Sequence, residues 1–249
     1  MHLTPIGGPT ALLELGGLRL LTDPTFDDPG DYPIGARTLV KTQGPGLSAD
    51  AVGPLDAVLL SHDQHPDNLD RRGRDLLAAV PTVLSTPAAA QRLGSNVVGM
   101  ATWATRALSA EVDVTAVPAL HGPPGSEPLV GEVTGFVLTG AHVPTVYISG
   151  DNASLALVHE IAGRCRPVDI AVLFAGAAQS PLVGNAFLTL TAEQARAAAD
   201  IVGARHVVVI HTDSWGHFSE GADAVAAAFR GRDGFLAARP GHRMELLEA

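Results

Sequence analysis

Four segments of the sequence pass from an apolar run directly into a histidine or an aspartate. The side chains at these four points belong to His62, His121, Asp151 and His211. A β-scaffold that ends several buried strands in such residues places metal ligands along one rim. A single histidine at a strand end is more often structural and makes one hydrogen bond. Four such points in one chain favour a metal site, because a metal ion needs several nitrogen and oxygen donors to converge.

The elements that must position these residues form two series. Before Asp151 the apolar runs are mainly strands, whereas after it helical and strand patterns alternate. A capping box, formed by Thr191 with Gln194 three residues later, opens an alanine-rich helix that runs to about Val202. The sequence therefore predicts an α+β fold in which two sheets pack face to face with helices outside.

Two segments have less regular patterns. Thr25–Pro54 is rich in Pro, Gly and Asp without a clear period, which predicts a long loop with a helical turn near Ser48–Val52. Arg37 and Lys41 on this loop either hold an anionic substrate group or are solvated. The last helix is predicted over residues 219–230, with Ser219 as its cap.

Composition limits what the chain can be. Of its 249 residues 46% are hydrophobic and 17% are charged, and no linker or repeat divides it, so a single domain over residues 1–249 is predicted. The formal charge of −10 argues against nucleic acid as a partner. The only cysteine, Cys165, rules out an internal disulfide bond. With no signal peptide and no run of 18 apolar residues, the protein is expected to be cytoplasmic and to have no membrane partner.

The motifs together resemble one family. The resemblance spans nearly the whole chain, through I-G-G-P-T-A-L-L-E-L-G-G-L-R-L-L-T-D-P-T-F, S-H-D-Q-H-P-D-N-L-D, V-P-A-L-H-G, Y-I-S-G-D-N and V-I-H-T-D-S-W-G-H-F. These segments resemble the metallo-β-lactamase fold superfamily, and within it the small hydrolases that are similar to ascorbate phosphate lactonase. The resemblance implies a four-layer αββα sandwich that binds one or two metal ions between its sheet edges.

The resemblance also implies a ligand set. The first metal site would be formed by His62, His65 and His121. The second would be formed by Asp67, Asp151 and His211, with Asp151 as the bridging carboxylate.

The turn that supplies the first ligands departs from the superfamily pattern H-x-H-x-D-H. Here it reads His-Asp-Gln-His-Pro-Asp-Asn over residues 62–68. Aligning His65 with the second histidine requires one inserted residue, and the alternative alignment puts Gln64 at that ligand position. Asn68 stands where a second-site histidine is expected. An amide oxygen is a weak ligand for zinc, so the second site is expected to be less fully occupied.

Nearby residues are candidates for supporting roles. Asp23 or Asp63 would orient a ligating imidazole by accepting its second N–H, although an aspartate before proline is as often a turn residue. His217 would donate a proton to a leaving group, and Trp215 would form a pocket wall.

The predicted function is that of a metal-dependent hydrolase. A zinc or manganese ion would provide a metal-bound hydroxide that attacks a small ester, lactone or related substrate, with Asp67 orienting the water. The altered residues Gln64 and Asn68 leave open a degenerate member that binds metal or ligand without turnover. A phosphodiesterase is a second alternative, and a homo-oligomer is also left open. The expected partner is a small-molecule substrate.

Overall fold

Two seven-stranded sheets and one separate hairpin organise the computed structural model, which describes residues 1–35, 37–94, 96–165 and 167–247. The chain divides into two compact units. The first contains residues 1–100, 213–217 and 239–249, and the second contains residues 101–212 and 218–238.

The sheet of the first unit joins an antiparallel part to a parallel part. Its strands are β1 (His2–Gly7), β2 (Thr10–Leu15), β3 (Leu18–Thr22), β6 (Ala57–Leu59), β7 (Val83–Ser85), β8 (Val97–Gly99) and β16 (Met244–Glu245). They lie in the order β16-β1-β2-β3-β6-β7-β8, and β3, β6, β7 and β8 run parallel. Between β2 and β3, Gly16 and Gly17 both have positive φ, as the mirror-image turns of two-residue hairpins require.

Three short helices and a hairpin complete the first unit. They are α1 (Ala49–Val52), α2 (Arg71–Leu77), α3 (Pro87–Leu93) and the hairpin β4 (Gly30–Ile34) with β5 (Arg37–Lys41). One cluster of buried side chains, which includes Leu21, Val52, Val58, Leu77 and Val83, joins α1 and α2 to the sheet. Helices therefore cover one face of this sheet.

The sheet of the second unit has the same two-part construction. Its strands are β9 (Thr105–Ala107), β10 (Asp113–Pro118), β11 (Thr134–Thr139), β12 (Val146–Ile148), β13 (Ile170–Phe174), β14 (His206–Ile210) and β15 (Phe235–Leu236). They are arranged in sequence order, antiparallel from β9 to β12 and parallel from β12 to β15.

The helices of the second unit are α4 (Glu127–Val130), α5 (Leu155–Cys165), α6 (Ala192–Val202) and α7 (Ala222–Ala228), and a 3₁₀ turn covers Pro181–Val183. The predicted capping box of α6 is present, because the side chains of Thr191 and Gln194 each accept from the other's backbone N–H. Small buried residues on α6 let it lie close to the sheet beside α5 and α7. The α+β class predicted from the sequence is thus confirmed.

Two local predictions are wrong. The segment Thr25–Pro54 contains the hairpin β4–β5, although its predicted helical turn is present as α1 with Ser48 as its N-cap. The last helix begins at Ala222 after Gly221, and the Ser219 hydroxyl donates instead to the carbonyl of Ala177. No helix in the described part of the chain is long and apolar enough to cross a membrane.

Candidate metal centre

The first unit holds a buried pair of histidines just after β6. His62 is fully buried and His65 nearly so. The Nε2 atom of His62 lies 3.0 Å from the Nδ1 atom of His65, with the two rings almost perpendicular. Two imidazole nitrogens this close either share one proton or face one cation. The structure thus brings two of the predicted ligands together.

A hydrogen-bonded chain selects the tautomer of His62. The Ser61 hydroxyl lies 2.5 Å from Asp23 Oδ2 and 3.0 Å from His62 Nδ1. Since an ionised carboxylate only accepts, Ser61 donates its single proton to Asp23 and accepts from the Nδ1–H of His62. The Nε2 atom of His62 then keeps its lone pair, as a metal ligand must.

Asp23 is the anchor of this arrangement. It accepts from the backbone N–H of Ser61 at 2.6 Å and from the side-chain amide of Asn68 at 3.0 Å, besides the Ser61 hydroxyl. Its φ of 26° is unusual for a residue with a side chain. Asp23 thus reaches the His62 ring through the Ser61 hydroxyl, whereas the sequence predicted that Asp23 itself accepts an imidazole N–H. Ser61 was not among the predicted site residues.

The other carboxylate considered for that role is engaged elsewhere. Asp63 forms a two-pronged ion pair with Arg92 of α3, with nitrogen–oxygen distances of 2.5 and 2.9 Å. This pair attaches the polar turn to α3. Asp63 is thus neither solvated nor bonded to His62 in this arrangement.

The turn itself distinguishes its two alternative ligand positions. His65 is buried against His62, whereas Gln64 is partly exposed. Asn68 is fully buried, and its amide nitrogen bonds to Asp23. This geometry favours the alignment that uses His65.

Two residues proposed for proton transfer lie side by side. The Nε2 atom of His217 is 3.1 Å from Asp67 Oδ2, and both side chains are largely buried. The Trp215 ring lies beside that of His217, with centroids 6.5 Å apart. His217 and Asp67 therefore lie within hydrogen-bond distance of each other.

The loop residue Lys41 has neither of its predicted roles. Its ammonium lies 2.9 Å from Asp70 Oδ2, and the two side chains are 1% and 0% exposed. Asp70 also caps α2 by accepting from Gly73 N at 2.8 Å, and the Lys41 ammonium lies 5.5 Å from the Trp215 ring centroid. Lys41 thus fastens the hairpin β4–β5 to the start of α2 and to the segment that carries His217.

In the second unit Asp151 and His211 form another buried pair. His211 Nδ1 lies 3.0 Å from Asp151 Oδ1, and both residues are fully buried. Phe218 packs edge-on against the His211 ring at 4.7 Å between centroids. His211 has a φ of 64°, and a Cβ at Gly176 would lie 2.4 Å from its carbonyl oxygen. This close approach requires glycine at position 176.

The third histidine of the second unit also has a defined tautomer. His121 Nδ1 lies 2.9 Å from the carbonyl oxygen of Leu188, so Nδ1 carries the proton and Nε2 keeps the lone pair. Asp151 Oδ2 is 3.7 Å from the same nitrogen. His121, Asp151 and His211 are thus gathered within this unit.

Imidazole nitrogens and carboxylate oxygens make up both buried groups. This donor set fits zinc, and it also suits iron and manganese. In both His62 and His121, the protein holds the proton away from Nε2. The chain therefore carries buried His and Asp side chains of the types that bind a metal ion.

Comparisons with known proteins agree with this chemistry. Residues 18–212 match the family model described as a beta-lactamase superfamily domain. The chain is 26% identical over 208 residues to a UPF0173 metal-dependent hydrolase of Caldivirga maquilingensis. The aligned region covers 82% of this chain and 78% of that protein.

Two solved structures are similar over 99% of both chains. They are a possible metal-dependent hydrolase from Veillonella parvula, at a TM-score of 0.85 and 18% identity, and the isothiocyanate hydrolase from Delia radicum gut bacteria, at 0.83 and 19%. Likeness at this level of identity shows the fold. The predicted metallo-β-lactamase type of fold is confirmed.

Proposed function

Because the chain belongs to the β-lactamase superfamily and is a metal-dependent hydrolase, we propose that it hydrolyses a small ester, lactone or related compound. The metal we propose is zinc, with manganese as the alternative. The donors named above suit either ion, and the acidic net charge of −10 is unfavourable for binding nucleic acid.

The proposed metal ligands are those that the family resemblance implies. His62, His65 and His121 would hold the first ion, and Asp67, Asp151 and His211 would hold the second. When bound there, a zinc ion would lower the pKa of a water molecule toward neutrality and would polarise the substrate carbonyl. The family membership and the tautomers of His62 and His121 support this assignment.

The chain's own residues would move the protons. Asp67 would take a proton from the attacking water as the new carbon–oxygen bond forms. His217, which lies 3.1 Å from Asp67, would deliver a proton to the departing alcohol oxygen as the ester bond breaks. The two residues would thus complete one proton transfer for each bond that is formed and broken.

The observation that carries the proposal is the chain Asp23–Ser61–His62. Asp23 fixes the tautomer of His62 through the Ser61 hydroxyl. Such an arrangement is typical of a histidine whose opposite nitrogen binds a metal ion, because it keeps that nitrogen unprotonated and orients the ring. A histidine that served only to pack would not need its Nε2 lone pair directed at a second imidazole. The metal site is therefore the reading that accounts for this arrangement.

The test combines metal analysis with a substrate panel. Protein purified without chelators is assayed for zinc, manganese and iron, and then for turnover of aryl esters, lactones, a bis-aryl phosphate and an aryl isothiocyanate. His121→Ala should lose both metal and turnover, whereas His159→Ala, at an exposed position on α5, should keep both.

The outcomes separate the alternatives. Ester or lactone turnover that follows metal content supports the proposal. Preferential turnover of the bis-aryl phosphate would favour the phosphodiesterase, and preferential turnover of the isothiocyanate would favour the reaction named for the similar structure. Bound metal without turnover of any of these compounds would favour a non-catalytic binding protein.

A further inference from the structure

Large apolar side chains are rarely exposed in the described part of the chain. Those that are exposed are Val40, Leu129 and Leu182, at 44%, 55% and 46%. Leu129 lies on α4 and Leu182 lies on the 3₁₀ turn Pro181–Val183, both in the second unit. These two exposed leucines therefore stand on two separate loops of one unit.

Both loops are attached to the same candidate ligand, His121. The hydroxyl of Ser126, which precedes α4, donates to the carbonyl of His121 at 2.7 Å. The carbonyl of Leu188, which follows the 3₁₀ turn, accepts from the His121 ring at 2.9 Å. The exposed leucines thus lie on loops that are hydrogen-bonded to His121, a candidate metal ligand.

An apolar layer lies beneath the two loops. Val130, Ala178 and Leu188 form a buried cluster, against which Val183 and Phe218 are packed. Phe218 in turn contacts the ring of His211. The apolar layer therefore reaches from the loops to a second candidate ligand.

These loops also lack positive charge. Residues 170–192 contain no Asp, Glu, Lys or Arg, and residues 114–132, which include α4, contain no Lys or Arg and two acidic residues, Glu127 and Glu132. A phosphate or carboxylate on a bound molecule would find no counter-ion among these residues. The surface therefore disfavours an anionic group.

We infer that the substrate presents a neutral, apolar acyl or alkyl group to an apolar surface formed by the exposed Leu129 and Leu182. The cluster of Val130, Leu188, Val183 and Phe218 supports the two loops that carry these leucines. This inference rests on the proposed hydrolase function and names its substrate class. Burying a methylene group at such a surface strengthens binding roughly threefold to fourfold.

The test uses 4-nitrophenyl esters from acetate to hexanoate with the metal-loaded protein. The kcat/KM of the parent should rise roughly threefold per added methylene over this series. In Leu129→Ser/Leu182→Ser the ratio of hexanoate to acetate kcat/KM should fall at least tenfold. Leu129→Met/Leu182→Met is the matched control and should keep the parent ratio, since methionine retains the apolar volume.

A second measurement does not depend on turnover. Nile red, a neutral dye that fluoresces in apolar surroundings, is titrated into the parent and both double variants. The parent and the methionine variant should bind the dye, and the serine variant should bind it several-fold more weakly. Sedimentation of all three follows the oligomeric state.

The results separate this inference from the proposed function. Ester turnover without chain-length dependence, or a serine variant with the parent ratio, overturns the inference and leaves the hydrolase intact. Dye binding that depends on the leucines, with no hydrolysis of any ester or lactone, overturns the proposed function. It would still support an apolar binding surface at Leu129 and Leu182. A parent dimer that the serine variant dissociates would assign the leucines to contact with a second copy and overturn the inference.

Discussion

The hydroxyl of Ser61 lies 3.0 Å from Nδ1 of His62 and also donates a hydrogen bond to Asp23, so it links that carboxylate to the imidazole ring. Asp23 follows β3 and Ser61 follows β6, and these two strands are parallel neighbours in one sheet. Their carboxyl ends therefore meet at the same edge, where a strand-end carboxylate can reach a strand-end hydroxyl. The orientation of the His62 ring therefore depends on the parallel pairing of β3 and β6.

The link through Ser61 can be tested by its removal. Ser61→Ala should lower the affinity for the first metal ion by about 10- to 100-fold, because the His62 tautomer is no longer fixed. Zinc competition with a chromophoric chelator measures this. Ser85→Ala is the matched control, since Ser85 is also buried and its hydroxyl has no hydrogen-bond partner within the described residues. Equal zinc affinity in the two variants would remove Ser61 from the site.

Replacement of Asp67 tests its part in proton transfer. Asp67→Asn should lower kcat by roughly 10²- to 10⁴-fold while metal content falls much less, because the amide cannot accept the proton of the attacking water. Asp63→Asn is the control, as Asp63 is paired with Arg92. A metal-replete Asp67→Asn protein that is as fast as the parent would assign the chemistry to the metal alone.

The effect of replacing His217 should depend on the leaving group. His217→Ala should reduce hydrolysis of an alkyl ester by roughly 10²-fold or more and that of the matching 4-nitrophenyl ester by less than tenfold, since only the alkoxide needs a proton to depart. The two rates are measured on the same metal-loaded preparation. An equal loss on both esters would instead indicate that His217 acts by positioning Asp67.

Asn68 bears on metal stoichiometry. The parent should hold between one and two ions per chain and lose the second one first under mild chelation, because the amide of Asn68 is bonded to Asp23 and is a weak ligand. Asn68→His should tighten the second ion. Asn68→Ala loses the same bond without adding a nitrogen and should not. Two equally tight ions in the parent would contradict this expectation.

The buried ion pair of Lys41 with Asp70 should matter for stability. Lys41→Met leaves a buried carboxylate without its cation and should cost about 3–5 kcal/mol of unfolding free energy. Arg72→Ala breaks the exposed pair of Arg72 with Asp28 and should cost much less, because solvent screens that pair. Urea denaturation of both variants measures the difference, and a similar small loss in the two would show that Lys41 is dispensable.

Much of the candidate site follows from local sequence patterns. An apolar run that ends in a histidine or aspartate identifies His62, His121, Asp151 and His211, because the strand and its end are both encoded locally. The resemblance of the polar turn to the superfamily pattern H-x-H-x-D-H then implies His65 and Asp67. The capping box at Thr191 is equally local, and the structure contains it.

The parts that were missed depend on contacts distant in sequence. Ser61 carries no periodic signal, and its role appears only when β3 and β6 lie side by side. The hairpin β4–β5 is short and mostly exposed, and Pro33 interrupts its pattern, so composition favoured a loop. Lys41 reads as a solvated charge until Asp70, 29 residues later, is placed against it.

Lys41 is the only lysine in the whole sequence. Since its amine is buried against Asp70, the folded protein offers amine-reactive reagents no lysine side chain at its surface. Acylation of Lys41 would therefore require the hairpin β4–β5 to open. The acylation rate, measured by mass spectrometry of the one peptide that contains Lys41, would report how often this local opening occurs. Because Lys41 is the single lysine, cross-linking or immobilisation through lysine would capture only molecules in which the hairpin β4–β5 is open.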